Sequence, residues 1–183
     1  DFTECTEEAF QAIIDAHTPH GSTTIFPTIS SSPFEKLHQA AEVCEKMMAQ
    51  PGSPIMGLHI EGPYLSPKMA GDQFADQIKP IEEKEYRELV EQTHCIRRWD
   101  AAPELPGALD FARFITKHGI VAAVSHTEAE YDGIKEAYEA GFTHAAHFYN
   151  AMPGFHKRRE YKYEGTVESV YLTDGMTIEL IAD

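Results

Sequence analysis

Two short apolar segments of this chain each end in a histidine, and a helical pattern separates them. The first segment ends at His126 and the second at His147, while residues 130–140 between them have helical periodicity and are followed by Gly141. This order predicts a strand–helix–strand unit with two parallel strands. Because ligands bind at the carboxyl ends of parallel strands, the sequence predicts two imidazoles at one ligand-binding edge.

A carboxylate, Glu61, ends a third apolar segment. Two neutral imidazoles and one carboxylate suit a borderline divalent cation such as zinc, and three protein ligands leave a position for a water molecule whose pKa falls towards about 7. A single histidine at a strand end is more often a hydrogen-bonded structural residue. Equivalent positions on three strands favour metal ligation by Glu61, His126 and His147. We expect His59 and His144, inside their strands, to be structural.

The charge and cysteine content of the chain exclude several function classes. Lys and Arg total 15 against 30 Asp and Glu, and the resulting net charge of −15 disfavours nucleic acid as a partner. No apolar run approaches the roughly 20 residues of a membrane span, and the acidic start is unlike a secretory or transit signal. Cys5, Cys44 and Cys95 form no C-x-x-C pair, which favours reduced thiols and a cytoplasmic location.

Predicted strands alternate with predicted helices along the 183 residues, which indicates an α/β fold with a parallel sheet. Two architectures fit: a complete open doubly wound sheet, or an eight-stranded TIM-type barrel without its ends, since a closed barrel typically needs about 250 residues. The metal triad favours the barrel, because its three strands must converge around one axis. The strands are predicted at residues 22–29, 55–61, 95–102, 121–126, 143–147 and 176–181, and the helices at residues 6–17, 32–48, 81–93, 107–118, 130–140 and 165–172.

The chain after His147 has two features that indicate an anionic ligand. Asn150 and Ala151 directly follow the strand end, where an amide and backbone N–H groups can bind an anion. Residues 156–159, His-Lys-Arg-Arg, are the one dense positive segment of a strongly acidic sequence. This basic segment is either a solvated loop or an anion clamp in which an arginine binds a phosphate with paired hydrogen bonds.

Five stretches of the sequence form a recognisable set: Gly57-Leu58-His59-Ile60-Glu61-Gly62-Pro63-Tyr64, Ser125-His126-Thr127, Ala140-Gly141-Phe142-Thr143-His144, His147-Phe148-Tyr149-Asn150-Ala151-Met152 and Ile181-Ala182-Asp183. Taken together, these motifs resemble the N-acetylglucosamine-6-phosphate deacetylases of the amidohydrolase superfamily. The resemblance implies a metal-dependent (β/α)8 barrel, a small β-domain built from both chain ends, a sugar-phosphate substrate and a homodimer. Residues 1–183 would then be one partial barrel with about six of its eight strands. The similarity runs from about Thr6 to Asp183.

The resemblance also assigns site residues. It implies the same three metal ligands as the residue pattern, with zinc as the first choice and iron, manganese, cobalt or nickel as compatible ions. It implies that Asn150 and the Ala151 backbone bind the substrate phosphate together with an arginine of the following loop. Arg158 matches that arginine by direct count, and Arg159 competes because the loop is longer here than in the family.

The chain departs from the family pattern in two respects. Where family members often carry a histidine that polarises the acetamide carbonyl, this chain has Gly71-Asp72-Gln73. Asp72 and Gln73 are therefore predicted to contact substrate, and Gln73 could donate an amide N–H to that carbonyl. The family's first strand, last strand with its catalytic aspartate, and small β-domain are absent. The base is thus expected beyond Asp183, and the chain alone is predicted to be inactive.

Two other functions remain compatible with the sequence. One is another amidohydrolase that acts on a cyclic or linear amide, against which the basic segment and the Asn150-Ala151-Met152 stretch argue. The other is a non-catalytic sugar-phosphate binding module, which would bind glucosamine 6-phosphate without turnover and without metal.

Overall fold

A computed structural model describes residues 1–181 of the chain, so the last part of the Ile181-Ala182-Asp183 motif lies outside the described residues. The helices are α1 Glu7–His17, α2 Phe34–Met48, α3 Glu83–Gln92, α4 Ala108–Lys117, α5 Tyr131–Ala140 and α6 Thr166–Tyr171. The strands are β1 Thr28–Ser30, β2 Leu58–Glu61, β3 Ile96–Ala101, β4 Val121–Val124, β5 Phe142–Ala145, β6 His156–Arg158, β7 Tyr161–Tyr163 and β8 Thr177–Ile178.

Six strands form one parallel sheet in the order β1-β2-β3-β4-β5-β8, and β6 and β7 form a separate antiparallel hairpin. Every neighbour in the large sheet follows in chain order, as in one arc of a (β/α)8 barrel. The predicted parallel α/β fold with about six strands is confirmed. Across residues 1–181 the sheet remains open, with no closed barrel.

The two faces of the sheet differ in polarity. Trp99, fully buried in β3, stacks on Tyr64 with ring centroids 6.0 Å apart and meets Phe111 of α4 edge-on at 5.2 Å. Its strand neighbours Arg98 and Asp100 point to the opposite face, because successive side chains of a strand alternate. The helices thus cover an apolar face, and the other face carries charged groups.

Several predicted element boundaries are corrected by the structure. The strand predicted at 22–29 is observed only as the short β1. Pro27 has no N–H to donate to the ladder of hydrogen bonds, and Ile25 before it forms only an isolated bridge with Ile55. The helix predicted to begin at a Ser32 cap begins at Phe34 with no side-chain cap. The end of α5 is as predicted: Gly141 adopts a left-handed conformation, with φ of 117°.

No helix in the described part of the chain is both long and apolar enough to cross a membrane.

Candidate metal centre

Glu61, His126 and His147 converge at the carboxyl edge of the sheet. Each offers one ligand atom, and these atoms all lie within 4.8 Å of one another. Glu61 Oε1 is 2.9 Å from His126 Nε2 and 3.4 Å from His147 Nε2. The two imidazole rings are nearly perpendicular, at 80°, with centroids 4.9 Å apart. Because the three elements β2, β4 and β5 are remote in sequence, only the parallel sheet brings these side chains together.

Local backbone conformation aims the two histidines at the carboxylate. Glu61 is the last residue of β2, whereas each histidine lies two residues beyond its strand. His126 has a φ of 44° and His147 a φ of 29°, both in the left-handed region that non-glycine residues seldom adopt. Such conformations persist only where the surroundings hold them, and they cluster at functional sites.

The three side chains perturb one another electrostatically. Burial opposes ionisation of Glu61, but the adjacent imidazoles of His126 and His147 hold the pKa of its carboxyl well below its usual range. Burial likewise opposes protonation of His147, yet its bond to Glu61 raises the pKa of the imidazole above its usual value. The carboxylate is therefore ionised at neutral pH, as metal ligation requires.

A charged cluster lies directly beneath this site. Asp100, fully buried, is the strand partner of Glu61, and its Oδ1 lies 2.9 Å from His59 Nε2 and 3.1 Å from Arg98 Nε, within ion-pair distance. Arg98 Nη1 also contacts Glu179 Oε1 at 2.8 Å.

The charge of this cluster fits a divalent cation. Glu61, Asp100 and Glu179 contribute three negative charges, and Arg98 contributes one positive charge. With neutral imidazoles, two negative charges remain uncompensated, and the Glu61 and Asp100 side chains are only 16% and 0% exposed. Isolated buried charges are costly. A divalent ion at the triad would balance the charge, and two imidazoles with a carboxylate are suitable ligands for one.

His59 and His144 have other partners than the triad. His59 Nδ1 lies 2.9 Å from Thr28 Oγ1, and His144 Nδ1 lies 2.8 Å from Thr177 Oγ1. Burial and the Arg98 charge lower the pKa of His144, which keeps it neutral. These contacts agree with the structural roles expected for both.

The loop after β2 passes beside the triad. A Cβ atom added at Gly71 would lie 3.4 Å from His126 Cε1, so the backbone here packs against the ligand ring. Gln73 Oε1 accepts the backbone N–H of Ser31 at 2.9 Å. Since a backbone N–H requires an acceptor, the amide NH2 of Gln73 is left to serve as a donor. Asp72 is exposed at the same loop.

Asn150 and Ala151 form a tight turn directly after His147. The Asn150 side chain donates to the His147 carbonyl at 3.3 Å, and the Ala151 carbonyl accepts the backbone N–H of Thr127 at 3.2 Å. Tyr149 and Ala151 both have positive φ values, 81° and 52°. The turn is therefore tied to the His126 loop as well as to His147.

The basic segment, for which the sequence offered a loop, forms the β6–β7 hairpin. Arg158 pairs with Glu130 at the start of α5, and its guanidinium lies over the Tyr163 ring, 4.9 Å from the centroid. His156 Nε2 contacts the same Glu130 carboxylate at 3.2 Å. Arg159, in the turn of the hairpin, is exposed and has a φ of 57°. The structure thus separates the two candidate arginines by environment.

Sequence reasoning missed Arg98, Asp100 and Glu179. A signal was present, because strands of a parallel sheet are buried on both faces and normally read as apolar runs. Two charged residues at alternating positions of β3 break that pattern and indicate a polar interior.

Solved structures share this arrangement of elements, and curated proteins are similar to the chain in sequence. A crystal structure of N-acetyl-D-glucosamine-6-phosphate deacetylase from Mycobacterium smegmatis superposes with a TM-score of 0.89 at 28% identity over 98% of this chain and 46% of that one. The N-acetylglucosamine-6-phosphate deacetylase of Bacillus subtilis is 33% identical over 133 residues, 72% of this chain and 33% of its own length. The enzyme of the same name from Lysinibacillus sphaericus is 30% identical over 89% of this chain and 42% of its own length.

The chain belongs to the N-acetylglucosamine-6-phosphate deacetylase family. It spans less than half the length of the deacetylases that it matches. No family model matches it. An N-acetylgalactosamine-6-phosphate deacetylase from Escherichia coli O157:H7 is also 30% identical, over 86% of the chain. A variant of the M. smegmatis deacetylase was crystallised in complex with N-acetyl-D-glucosamine-6-phosphate.

Proposed function

We propose that the protein to which this chain belongs hydrolyses the acetamide of N-acetylglucosamine 6-phosphate, giving glucosamine 6-phosphate and acetate. The observation that carries the proposal is the convergence of Glu61, His126 and His147 on one point at the ligand-binding edge of the sheet. Deacetylases of this name among the relatives support the substrate.

The triad would hold a divalent cation, with zinc favoured by its ligand types and iron, manganese, cobalt or nickel compatible. Such an ion supplies Lewis acidity and an acidified water. Glu61 contributes the negative charge that retains a dication, and the imidazoles contribute neutral nitrogen ligands. Three protein ligands leave room for water and substrate, as in catalytic rather than structural metal sites.

Other residues of the chain would bind and orient the substrate. Asn150 and the Ala151 backbone would bind the phosphate together with Arg158 or Arg159, and the energy of that binding would position the amide. The Gln73 NH2 group would donate to the acetyl carbonyl, with Asp72 beside it. Proton transfer to the leaving amine would fall to an aspartate beyond Asp183.

We further propose that residues 1–183 are the central part of a larger (β/α)8 barrel. Phe26, Met56 and Val121 line one cavity on the open face of the sheet and are 45%, 53% and 41% exposed. Further strands would cover this apolar surface. Residues 1–183 alone would be inactive, because the proposed aspartate base lies beyond them. A cytoplasmic location and a homodimeric state remain predictions.

The decisive experiment measures acetate release by the complete protein with added zinc. N-acetylglucosamine 6-phosphate, its galacto epimer, unphosphorylated N-acetylglucosamine and a cyclic amide are compared as substrates. Fastest turnover of the first supports the proposal, whereas preference for the epimer, favoured by the galactosamine relative, reassigns the sugar. Preference for the cyclic amide indicates another amidohydrolase. Glucosamine 6-phosphate binding without turnover or bound metal indicates a binding module.

A further inference from the structure

Glu179 forms three hydrogen bonds to the segment that contains His147. Its carboxylate Oε2 accepts the backbone N–H of His147 at 2.7 Å. Its own backbone N–H donates to the Ala145 carbonyl at 2.9 Å, and its carbonyl accepts the N–H of Phe148 at 3.0 Å. Glu179 therefore contacts the chain on both sides of His147, just beyond the end of β8.

Arg98 holds the carboxylate of Glu179 in place. Its Nη1 lies 2.8 Å from Glu179 Oε1, so the two carboxylate oxygens have different partners. Arg98 is itself fixed by Asp100, 3.1 Å from its Nε, and by His59, whose Nδ1 is 3.1 Å from its Nη2. Its side chain is only 18% exposed. Hydrogen bonds between ionised partners are shorter and stronger than neutral ones.

The backbone of His147 needs such support. Its φ of 29° is one that a residue with a Cβ adopts only where neighbours over-determine it. In an extended conformation the imidazole would turn away from Glu61, because side-chain direction follows the backbone. The carboxylate is suited to this role because one oxygen accepts the His147 N–H while the other neutralises Arg98.

We infer that Glu179, anchored by Arg98, is a positioning residue that sets the conformation of His147 and thereby the geometry of the metal centre. The inference rests on the proposed metal-binding role of the triad. Glu179 does not ligate the ion; it acts through the backbone of a ligand. Loss of partners beyond the first coordination sphere typically costs about 10–100-fold in metal affinity, and this is the range expected here.

The test uses Glu179→Gln in the complete protein. A glutamine accepts from only one of the two donors, Arg98 or the His147 N–H, and presents its NH2 to the other. Zinc affinity is measured by competition with a chromophoric chelator, and the visible spectrum of the cobalt-substituted protein reports ligand geometry. We expect zinc affinity about 10–100-fold weaker and a changed cobalt spectrum. Glu139→Gln, which removes the same charge from an exposed position of α5, is the matched control and should alter neither.

A purely structural role for Glu179 would give a different result. The melting temperature of the metal-free variant would fall, while the folded variant kept the zinc affinity and cobalt spectrum of the unchanged protein. This outcome overturns the inference. If Glu179→Gln does not fold, Arg98→Lys, which retains the charge but loses the fixed guanidinium geometry, must weaken zinc binding in the same direction, and an unchanged affinity overturns the inference.

A parallel Glu61→Gln variant separates this inference from the proposed function. If Glu61→Gln loses zinc binding and Glu179→Gln binds zinc as tightly as the unchanged protein, only the positioning role is contradicted. Full zinc binding in Glu61→Gln shows that the triad is not the metal site, and the proposed function then fails with it.

Discussion

The Nδ1 atom of His126 lies 2.7 Å from the carbonyl oxygen of Met69. A carbonyl oxygen only accepts, so Nδ1 carries the hydrogen, and a neutral His126 has its lone pair on Nε2. That nitrogen faces Glu61 and is one of the three converging ligand atoms. The loop after β2 thus selects the tautomer that a metal ion needs, as outer partners of metal-bound histidines commonly do.

Replacement of Glu61 by glutamine should abolish metal retention. The variant removes the negative charge that lies 2.9 Å from one imidazole and 3.4 Å from the other, while it keeps the side-chain volume. The affinity loss should exceed the about 10–100-fold typical of a lost outer partner, because a direct ligand is gone. Metal analysis of the purified protein measures it, with Glu136→Gln on the exposed face of α5 as control. Metal content and activity equal to those of the unchanged protein would refute the ligand assignment.

Metal binding should weaken as the pH falls. The bond to Glu61 raises the pKa of His147, so in the metal-free protein protonation of His147 stabilises the fold below the unfolded pKa of about 6.5, and this contribution is lost as pH rises through the folded pKa. A metal ion needs the neutral imidazole and must displace the proton. The increase in melting temperature on zinc addition should therefore be largest near pH 8. As the pH is lowered, this increase should begin to shrink while the pH is still above 6.5. An increase that is constant from pH 8 to 5.5 would contradict the assignment.

The parts of this structure that were predictable from sequence depend on local patterns. The helix α1 was predictable because Thr6 caps it, and α5 because Gly141 ends it. The histidines at the ends of β4 and β5 were predictable as a pair, since adjacent parallel strands bring their carboxyl ends together. The approach of Glu61 to both histidines was predicted from the barrel architecture instead, because β3 lies between β2 and β4 in the sheet.

The parts that were not predictable depend on pairs of residues distant in sequence. Arg98 and Glu179 are 81 residues apart and meet only through the sheet. The β6–β7 hairpin lacks a glycine or asparagine in its turn; instead Arg159 adopts the left-handed conformation, so the usual hairpin signal is missing. The contact of Arg158 with Glu130 was likewise invisible in the sequence.

Gly62, which follows Glu61, should not tolerate alanine. Its φ is 95°, and an added Cβ would collide with the buried Ser31 hydroxyl and crowd Leu65. Gly21 has almost the same φ, 96°, with no atom within 4 Å of an added Cβ, so Gly21→Ala is a matched control for backbone strain alone. Gly21→Ala should cost about 1–2 kcal/mol of unfolding free energy and leave zinc affinity unchanged. Gly62→Ala should cost more and weaken zinc binding, since Glu61 must shift. Equal urea-unfolding costs for the two variants would show that the Ser31 contact is unimportant.

The competition of Glu130 for Arg158 provides a test of which arginine binds the substrate phosphate. Arg158 is paired with Glu130 at the start of α5, whereas Arg159 is exposed in the hairpin turn. If Arg158 binds the phosphate, Arg158→Met should raise KM with little change in kcat, because a remote group contributes equally to ground-state and transition-state binding. Glu130→Gln should then lower KM, since it releases the guanidinium from a competing carboxylate. Arg159→Met is the matched control and should leave KM unchanged. The reverse pattern, in which only Arg159→Met raises KM and Glu130→Gln has no effect, would assign the phosphate to Arg159 and leave the Arg158–Glu130 pair as an anchor of the hairpin.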